Sequence, residues 1–372
     1  MQQRLAALAQ MAQVQVVAPS PVLPFIHLLR KRCLPNAENW NGLTVHRPTF
    51  SYIPAVTASL GSRLYARGIR KWLEGLRRQW LPDILDAHFI WPDGVAVSLL
   101  ARQMEIPYAI TLRGKIYPCL EIASQRRQCR EALQNAAAVI SVSQDMADVA
   151  RVLGVLPDRL HVVPNGVDTE RFKPRDKTAA RRELGLPEHG RLILTVAHLG
   201  LRKGHAETIQ ALATLPQDVR LILVGGSLGS RDQRILRTII ARLGLTNRVI
   251  FAGPQSYDRI PLYFNAADAS ILASYREGCP NVVLESLASG TPVVATQVGA
   301  VPDLIQDRRD GRIIAPKDTE ATAQALADVL EKPWSSQQLS QSPAVRSWTV
   351  IAGQLRNVLA EAISRPERHR SK

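Results

Sequence analysis

Short apolar runs alternate with longer helical stretches along almost the whole chain, and this alternation restricts the fold more than any other feature. Residues 14–18, 83–88, 108–112, 138–142 and 160–163 read as strands in the first part. Residues 192–196, 220–224, 249–251, 269–273, 293–296 and 311–314 read as strands in the second. Strands separated by helices predict an α/β fold built on parallel sheets. The pattern breaks at Pro164-Asn165-Gly166. The polar stretch 166–190 carries Pro174, Gly185, Pro187 and Gly190, and reads as a linker with one short helix. The chain therefore divides into Rossmann-like domains at 1–168 and 169–343, with a helical segment over 344–372 carrying Trp348. A length of 372 residues suits two domains. Two such sheets on one linker are expected to face a cleft, with ligands beyond the carboxyl ends of the strands. Chemistry is to be sought in the loops that follow strands.

The richest of these loops runs from Glu277 to Glu285. The strand 269–273 delivers Glu277-Gly278-Cys279-Pro280-Asn281-Val282 to a helix that contains Glu285. Pro280 suits the first turn, where a missing N–H is harmless, and Gly290 with Thr291-Pro292 ends the helix. Backbone N–H groups at a helix start favour an anion. Read alone, the pair of glutamates supports two readings: a sugar-nucleotide site, or a capped helix with a solvated Glu285.

Other loops are weaker alone. Lys203 precedes Gly204 at a loop-to-helix junction after strand 192–196, where a lysine can meet a diphosphate; a solvated lysine is the plainer reading. Gly225-Gly226 follows strand 220–224 and permits close backbone approach, but G-x-G-x-x-G is absent. Arg113 and Lys115 follow strand 108–112, either as phosphate ligands or as a solvated rim. His88 reads as a packed or rim histidine and Asp93 as a helix cap. No D-x-D sequence occurs, which argues against a carboxylate-held divalent ion, so no metal is expected.

The net charge is +15, divided +8 and +7 on either side of Asn165. Both halves therefore call for anionic partners. Zinc-finger spacing, a basic-aromatic sheet and a basic heptad helix are all lacking, so nucleic acid is not implied. Four scattered cysteines (Cys33, Cys119, Cys129, Cys279) fit a reducing cytoplasm. No apolar run reaches the ~18–20 residues of a membrane span. Residues 61–80 place Leu64, Tyr65, Ile69, Trp72, Leu73, Leu76 and Trp80 at helical spacing among six basic residues. Such a helix lies on an anionic bilayer or packs its stripe onto the domain.

Together these motifs resemble family 4 glycosyltransferases of the GT-B fold, over nearly the whole length. Glu277 to Glu285 matches the family's E-x7-E element, and Ala288-Ser289-Gly290-Thr291-Pro292-Val293-Val294 its continuation. Pro164-Asn165-Gly166-Val167-Asp168, with Phe172 and Pro174, matches the interdomain segment, and Lys203-Gly204 the K-G element. Arg113-Gly114 and His198-Leu199 resemble the subgroup that makes bacterial exopolysaccharides or teichuronic-type polymers.

The resemblance implies a nucleotide-sugar donor, with Glu277 on sugar hydroxyls, Glu285 on the ribose and Lys203 on the diphosphate. Gly278, Cys279, Pro280, Asn281 and Val282 would line phosphates and sugar, Gly253-Pro254 would seat the base, and the helix with Trp348 would cross back onto the first domain. Glu277, Lys203 and Arg113 are the candidate catalytic residues, with His198 and Gly225 added to the donor site. Many members carry Arg where His198 stands and His where Arg113 stands. Members also begin with a strand and a Gly-rich loop; here residues 2–12 already read as the first helix, so that strand is expected to be missing. The implied activity is retaining transfer of a sugar from a UDP- or GDP-sugar to a glycan or lipid-linked acceptor. A nucleotide-sugar epimerase and a catalytically impaired sugar-nucleotide binder are the alternatives.

Overall fold

The computed structural model describes residues 1–22, 37–40, 42–51, 60–114, 116–226 and 229–365. Lys115 and Cys33 lie outside the described residues. The chain divides into two compact units, Met1–Asn165 with Trp348–Lys372, and Gly166–Ser347. The divisions fall at Asn165 and Ser347 rather than at 168 and 343. The reason is local: the Val167 N–H bonds the Arg346 carbonyl at 2.9 Å, and Val167 bridges Ser347. The chain is thus tied into the second unit from Val167 onward.

Strands of the first unit are β1 (Val16–Val17), β2 (Ser20–Val22), β3 (Ala37–Trp40), β4 (Leu43–His46), β5 (Thr49–Ser51), β6 (Leu85–His88), β7 (Tyr108–Leu112), β8 (Ala138–Ser141) and β9 (Leu160–Val162). Strands β6-β7-β8-β9 form a parallel sheet in that order. Every residue of β7 and β8 is buried, as expected when helices cover both faces. Helix Trp348–Ser364 packs Trp348, Ile351 and Leu355 with Ala109, Ala138 and Ile140 of this sheet, and with Ala7 and Leu8 of helix Gln2–Ala9. Leu355 is fully buried, so Leu355→Ala should cost about 2–5 kcal/mol.

Two smaller sheets were not foreseen. One has the order β1-β4-β3, with β1 parallel and β3 antiparallel to β4; the other pairs β2 with β5 in parallel. These strands are two to four residues long, and β3 reads Ala-Glu-Asn-Trp, so they carry little periodic signal.

The second unit contains β10 (Arg191–Val196), β11 (Val219–Val224), β12 (Val249–Gly253), β13 (Ala269–Leu272), β14 (Val293–Thr296) and β15 (Gly311–Ile314). The order is β12-β11-β10-β13-β14-β15, parallel throughout. Its progression reverses between β10 and β13, which pair through Ile193 and Ala269. A crevice opens beyond the carboxyl ends of strands at such a point. Leu192, Ile193 and Leu194 of β10 are at most 1% exposed, so the strands flanking that point have a rigid base.

Candidate active site

The switch point brings two post-strand loops together. After β10, the chain makes a short 3-10 turn at Leu201–Lys203 and enters helix His205–Thr214. After β13, it passes through 273–280 into helix Asn281–Ala288. Across the pair of loops, Lys203 Nζ donates to Glu277 Oε1 at 2.7 Å. Their side chains are 34% and 16% exposed, so both are shielded yet reachable.

Several contacts hold this geometry. Gly204 lies at φ +69°, and a Cβ there would sit 2.0 Å from the Ala273 carbonyl oxygen. Only glycine lets the Lys203 loop approach the end of β13 this closely. The Tyr275 N–H bonds the Arg202 carbonyl at 3.0 Å, and the Tyr275 hydroxyl donates to Glu207 of the next helix. Gly299, at φ +54°, lies against the Glu277 and Gly278 carbonyls, and the Ala300 N–H bonds Gly278 O at 2.8 Å. The Glu277-Gly278 backbone is thereby fixed from two sides.

Helix Asn281–Ala288 starts one residue later than the sequence suggested: Pro280 is the N-cap, not a first-turn residue. Gly290 takes φ +76° just past the end, as its role as a terminator requires. The helix is pinned to the sheet by a shared hydrogen bond between the Ser270 and Ser286 hydroxyls at 2.7 Å. Glu285, on that helix, is 8% exposed. Burial pushes its carboxyl up to about 7. The solvated reading of Glu285 is therefore wrong: the sequence shows an acid on a helix, while the sheet beneath it decides its burial.

Around this core, Gly225 (φ +112°) lies so close to Ala197 that a Cβ would meet its carbonyl oxygen at 2.3 Å, and its N–H bonds the Gly253 carbonyl at 2.8 Å. Gly253 ends β12 and Pro254 follows it, exposed. His198 is exposed, and its carbonyl meets the ring of buried His205 at 3.2 Å. Gly278, Cys279 and Val282 are half-buried along the Glu277 loop and the first helical turn. Glu277, Lys203, Glu285, His198, Gly225, Gly253, Pro254, Gly278, Cys279, Pro280, Asn281 and Val282 thus all belong to the second unit. Tyr275 and Glu207 were not anticipated; tyrosine two residues before Glu277 gives no spacing signal.

Arg113 belongs to the first unit, just after β7. Its Nε donates to His88 Nδ1 at 2.9 Å, and its Nη1 reaches Asn165 Oδ1 at 3.5 Å. His88 Nε2 faces Asp86 Oδ2 at 3.3 Å. Burial drives the imidazole down despite the pull of Asp86. With Nδ1 accepting from Arg113, the neutral ring carries its proton on Nε2 toward Asp86. Burial alone would raise Asp86, but the neighbouring His88 and the Thr111 hydroxyl help hold it low. Arg113 is therefore no solvated rim residue, and the packed reading of His88 holds. Asp86 carries no motif signal; it shares only one face of a strand end with His88. Asp93 departs from its expected role. The N-cap of helix Val95–Met104 is Gly94, and Asp93 accepts from the Tyr65 hydroxyl at 3.2 Å.

In helix Gly61–Arg77, the apolar stripe packs inward: Tyr65, Ile69 and Leu73 join Phe50, Leu100 and Met104. Arg63, Arg67, Arg70, Lys71 and Arg78 remain exposed. Among the described residues no helix is long and apolar enough to cross a membrane, and no cluster of three or more His, Cys, Asp or Glu could hold a metal ion.

Comparison with known proteins identifies the family of the chain and its fold. The model of group 1 glycosyl transferases matches residues 176–344, and that of glycosyltransferase family 4 matches residues 4–171. A D-inositol 3-phosphate glycosyltransferase of Acidothermus cellulolyticus is 33% identical over 69% of this chain and 62% of its own length. The putative teichuronic acid biosynthesis glycosyltransferase TuaC of Bacillus subtilis is 30% identical over 80% of this chain and 74% of its own. The chain thus spans less than two thirds of the first relative and about three quarters of the second. Among solved structures, sucrose-phosphate synthase from Thermosynechococcus elongatus superposes with a TM-score of 0.79 at 22% identity, covering 96% of this chain and 91% of its own. Anabaena HepE in complex with UDP superposes with a TM-score of 0.76 at 21% identity, covering 96% and 95%. At such identities the structures establish a shared fold.

Proposed function

The chain belongs to the family 4 glycosyltransferases, and from that premise we propose that it transfers a sugar from a UDP- or GDP-sugar, with retention of configuration, to a glycan or lipid-linked acceptor of the bacterial cell surface. The observation that carries this reading is the Lys203–Glu277 pair at 2.7 Å at the β10/β13 switch point, with Glu285 buried on the helix that follows. HepE, of the same fold, is described in complex with UDP. That supports a nucleoside diphosphate as part of the donor.

In this mechanism Lys203 exchanges its contact with Glu277 for the donor diphosphate. Glu277 is then released to accept hydrogen bonds from sugar hydroxyls. Negative charge grows on the diphosphate as the glycosidic bond breaks. Lys203 and the positive end of helix Asn281–Ala288 meet that charge with dipoles already oriented. Glu285 takes the ribose hydroxyls, Gly253-Pro254 seats the base, and Gly225 and His198 border the phosphates. Gly278, Cys279, Pro280, Asn281 and Val282 line the sugar and phosphates. No step is assigned to a metal; the leaving phosphate itself accepts the proton of the acceptor hydroxyl. Within the first unit, Arg113, oriented by His88 and Asn165, is the candidate catalytic cation. The protein works in the cytoplasm, with the basic face of helix Gly61–Arg77 against the anionic inner leaflet.

The test is release of UDP or GDP from a panel of nucleotide sugars with and without acceptor glycans. Acceptor-dependent release supports transfer. A sugar product formed without acceptor marks an epimerase, and binding without release under any condition marks an impaired binder; either result rejects the reading.

A further inference from the structure

His205 opens helix His205–Thr214 directly after Gly204, and it is fully buried. Its Nε2 lies 3.2 Å from the His198 carbonyl oxygen. A carbonyl only accepts, so the ring carries its proton on Nε2 and donates. Nδ1, also buried, has no hydrogen-bond partner among the described residues. Burial pushes the imidazole toward its neutral form and Lys203 adds to this, while the His198 carbonyl, Asp232 and Glu207 pull the other way. The ring also stands at the positive end of a helix, where a further positive charge is disfavoured.

Such a histidine is a poor choice for stability alone. A buried acceptor without a donor is unfavourable, and an apolar side chain of similar size would remove it. What the ring does hold is a loop. Lys203 N–H to Gly200 O and Gly204 N–H to Leu201 O, each at 3.0 Å, close residues 200–204 into a turn. The Tyr275 N–H then ties Arg202 to the loop after β13. None of these bonds reaches His198. On the strand side, the Ala197 N–H is bound to Val224 O at 3.0 Å. The next carbonyl that is held belongs to His198, and the His205 ring takes it. The ring therefore joins the two ends of the loop, one at the exit from β10 and one at the helix start. We propose that His205 is a positioning residue. By clamping the His198 carbonyl to the first residue of the helix, it sets the path of 198–203 and with it the place of the Lys203 ammonium. The clamp needs an N–H donor at the Nε2 position and no charge. Its effect on a nucleotide rests on the donor-site reading of Lys203; the clamp itself is a property of the loop.

The experiment compares the full chain with His205→Leu, His205→Gln and His205→Asn. The glutamine amide nitrogen reaches the place of Nε2, whereas that of asparagine stops near the place of Nδ1. Hydrogen–deuterium exchange without ligand, thermal melting, and calorimetry with UDP and GDP are read on all four. The clamp predicts faster exchange over 198–203 in the leucine and asparagine variants and near-parental exchange with glutamine. The leucine variant melts within about 3 °C of the parent, because the exposed His198 can turn its carbonyl to water. Whichever nucleotide the parent binds is held about tenfold more weakly by the leucine and asparagine variants, and glutamine restores it. A merely structural histidine gives a different result: melting falls, exchange rises throughout the second unit, and glutamine rescues nothing. Parental exchange over 198–203 in both the leucine and asparagine variants, or no recovery with glutamine, overturns the proposal. Faster loop exchange with unchanged affinity also overturns it, since the clamp then places nothing that the nucleotide touches. Should the leucine chain fail to fold, the contrast between glutamine and asparagine decides. If the parent binds neither nucleotide, the donor-site reading fails, and the exchange readout still judges the clamp.

Discussion

Lys203 and Glu277 lie 74 positions apart in sequence, yet their side chains meet at 2.7 Å, because the strands that precede them are neighbours where the sheet order reverses. The pair has one member that suits a diphosphate and one that suits hydroxyls. An ion pair so placed holds both groups in position before the donor arrives.

Glu277→Ala is expected to lower turnover by two orders of magnitude or more, since the carboxylate would bind hydroxyls of the reacting sugar. Its effect on stability should stay within about 1 kcal/mol, because the pair is partly solvated. Steady-state kinetics with a parallel melting curve separates the two effects. Near wild-type turnover would remove Glu277 from the site.

Gly204→Ala should act through the backbone. The residue sits at φ +69°, and the added methyl would meet a main-chain oxygen that cannot swing away. Strain and clash together predict a loss of about 2–4 kcal/mol in urea denaturation, along with weaker donor binding as Lys203 shifts.

Glu285 predicts a pH dependence of known sign. Its carboxyl titrates near 7 in the fold, above the ordinary 4.5. Between those values the folded state holds a proton that the unfolded chain has released. Stability therefore falls as pH rises through this window, and the full penalty, roughly 3 kcal/mol, is present above it. Glu285→Gln should be more stable than the parent near pH 8 and nearly equal to it near pH 4.5. Equal denaturation midpoints for the two at both pH values would show that the acid is solvated.

The exposed basic face of helix Gly61–Arg77 predicts salt-sensitive binding to anionic vesicles. Replacing Arg70, Lys71, Arg77 and Arg78 together by serine should abolish co-sedimentation and leave melting almost unchanged. Unaltered binding would exclude this face as the membrane contact.

Much of the fold was legible because the parallel strands are mostly apolar runs set between helices: β7, β10, β14 and β15 fall within a residue of where the sequence places them. Strands β2 to β5 were not, because three or four residues with polar side chains among them leave no clear period to read. The candidate donor loop could be found from Gly278 and Pro280, whose types suit a turn and a helix start, together with Glu277 ahead of them. The burial of Glu285 could not, since it depends on how its helix packs in the folded unit, not on the spacing of the motif. The Asp86–His88–Arg113 array was equally hidden, being assembled from the ends of two strands 25 residues apart.

The most direct measurement is titration calorimetry of UDP and GDP against the intact chain and its Lys203→Ala variant. The account predicts that the parent binds one of the two nucleotides and that the variant, with unchanged circular dichroism, binds it at least about tenfold more weakly, a difference of ~1.4 kcal/mol. Equal affinity of parent and variant, or no binding of either nucleotide by the parent, would contradict it.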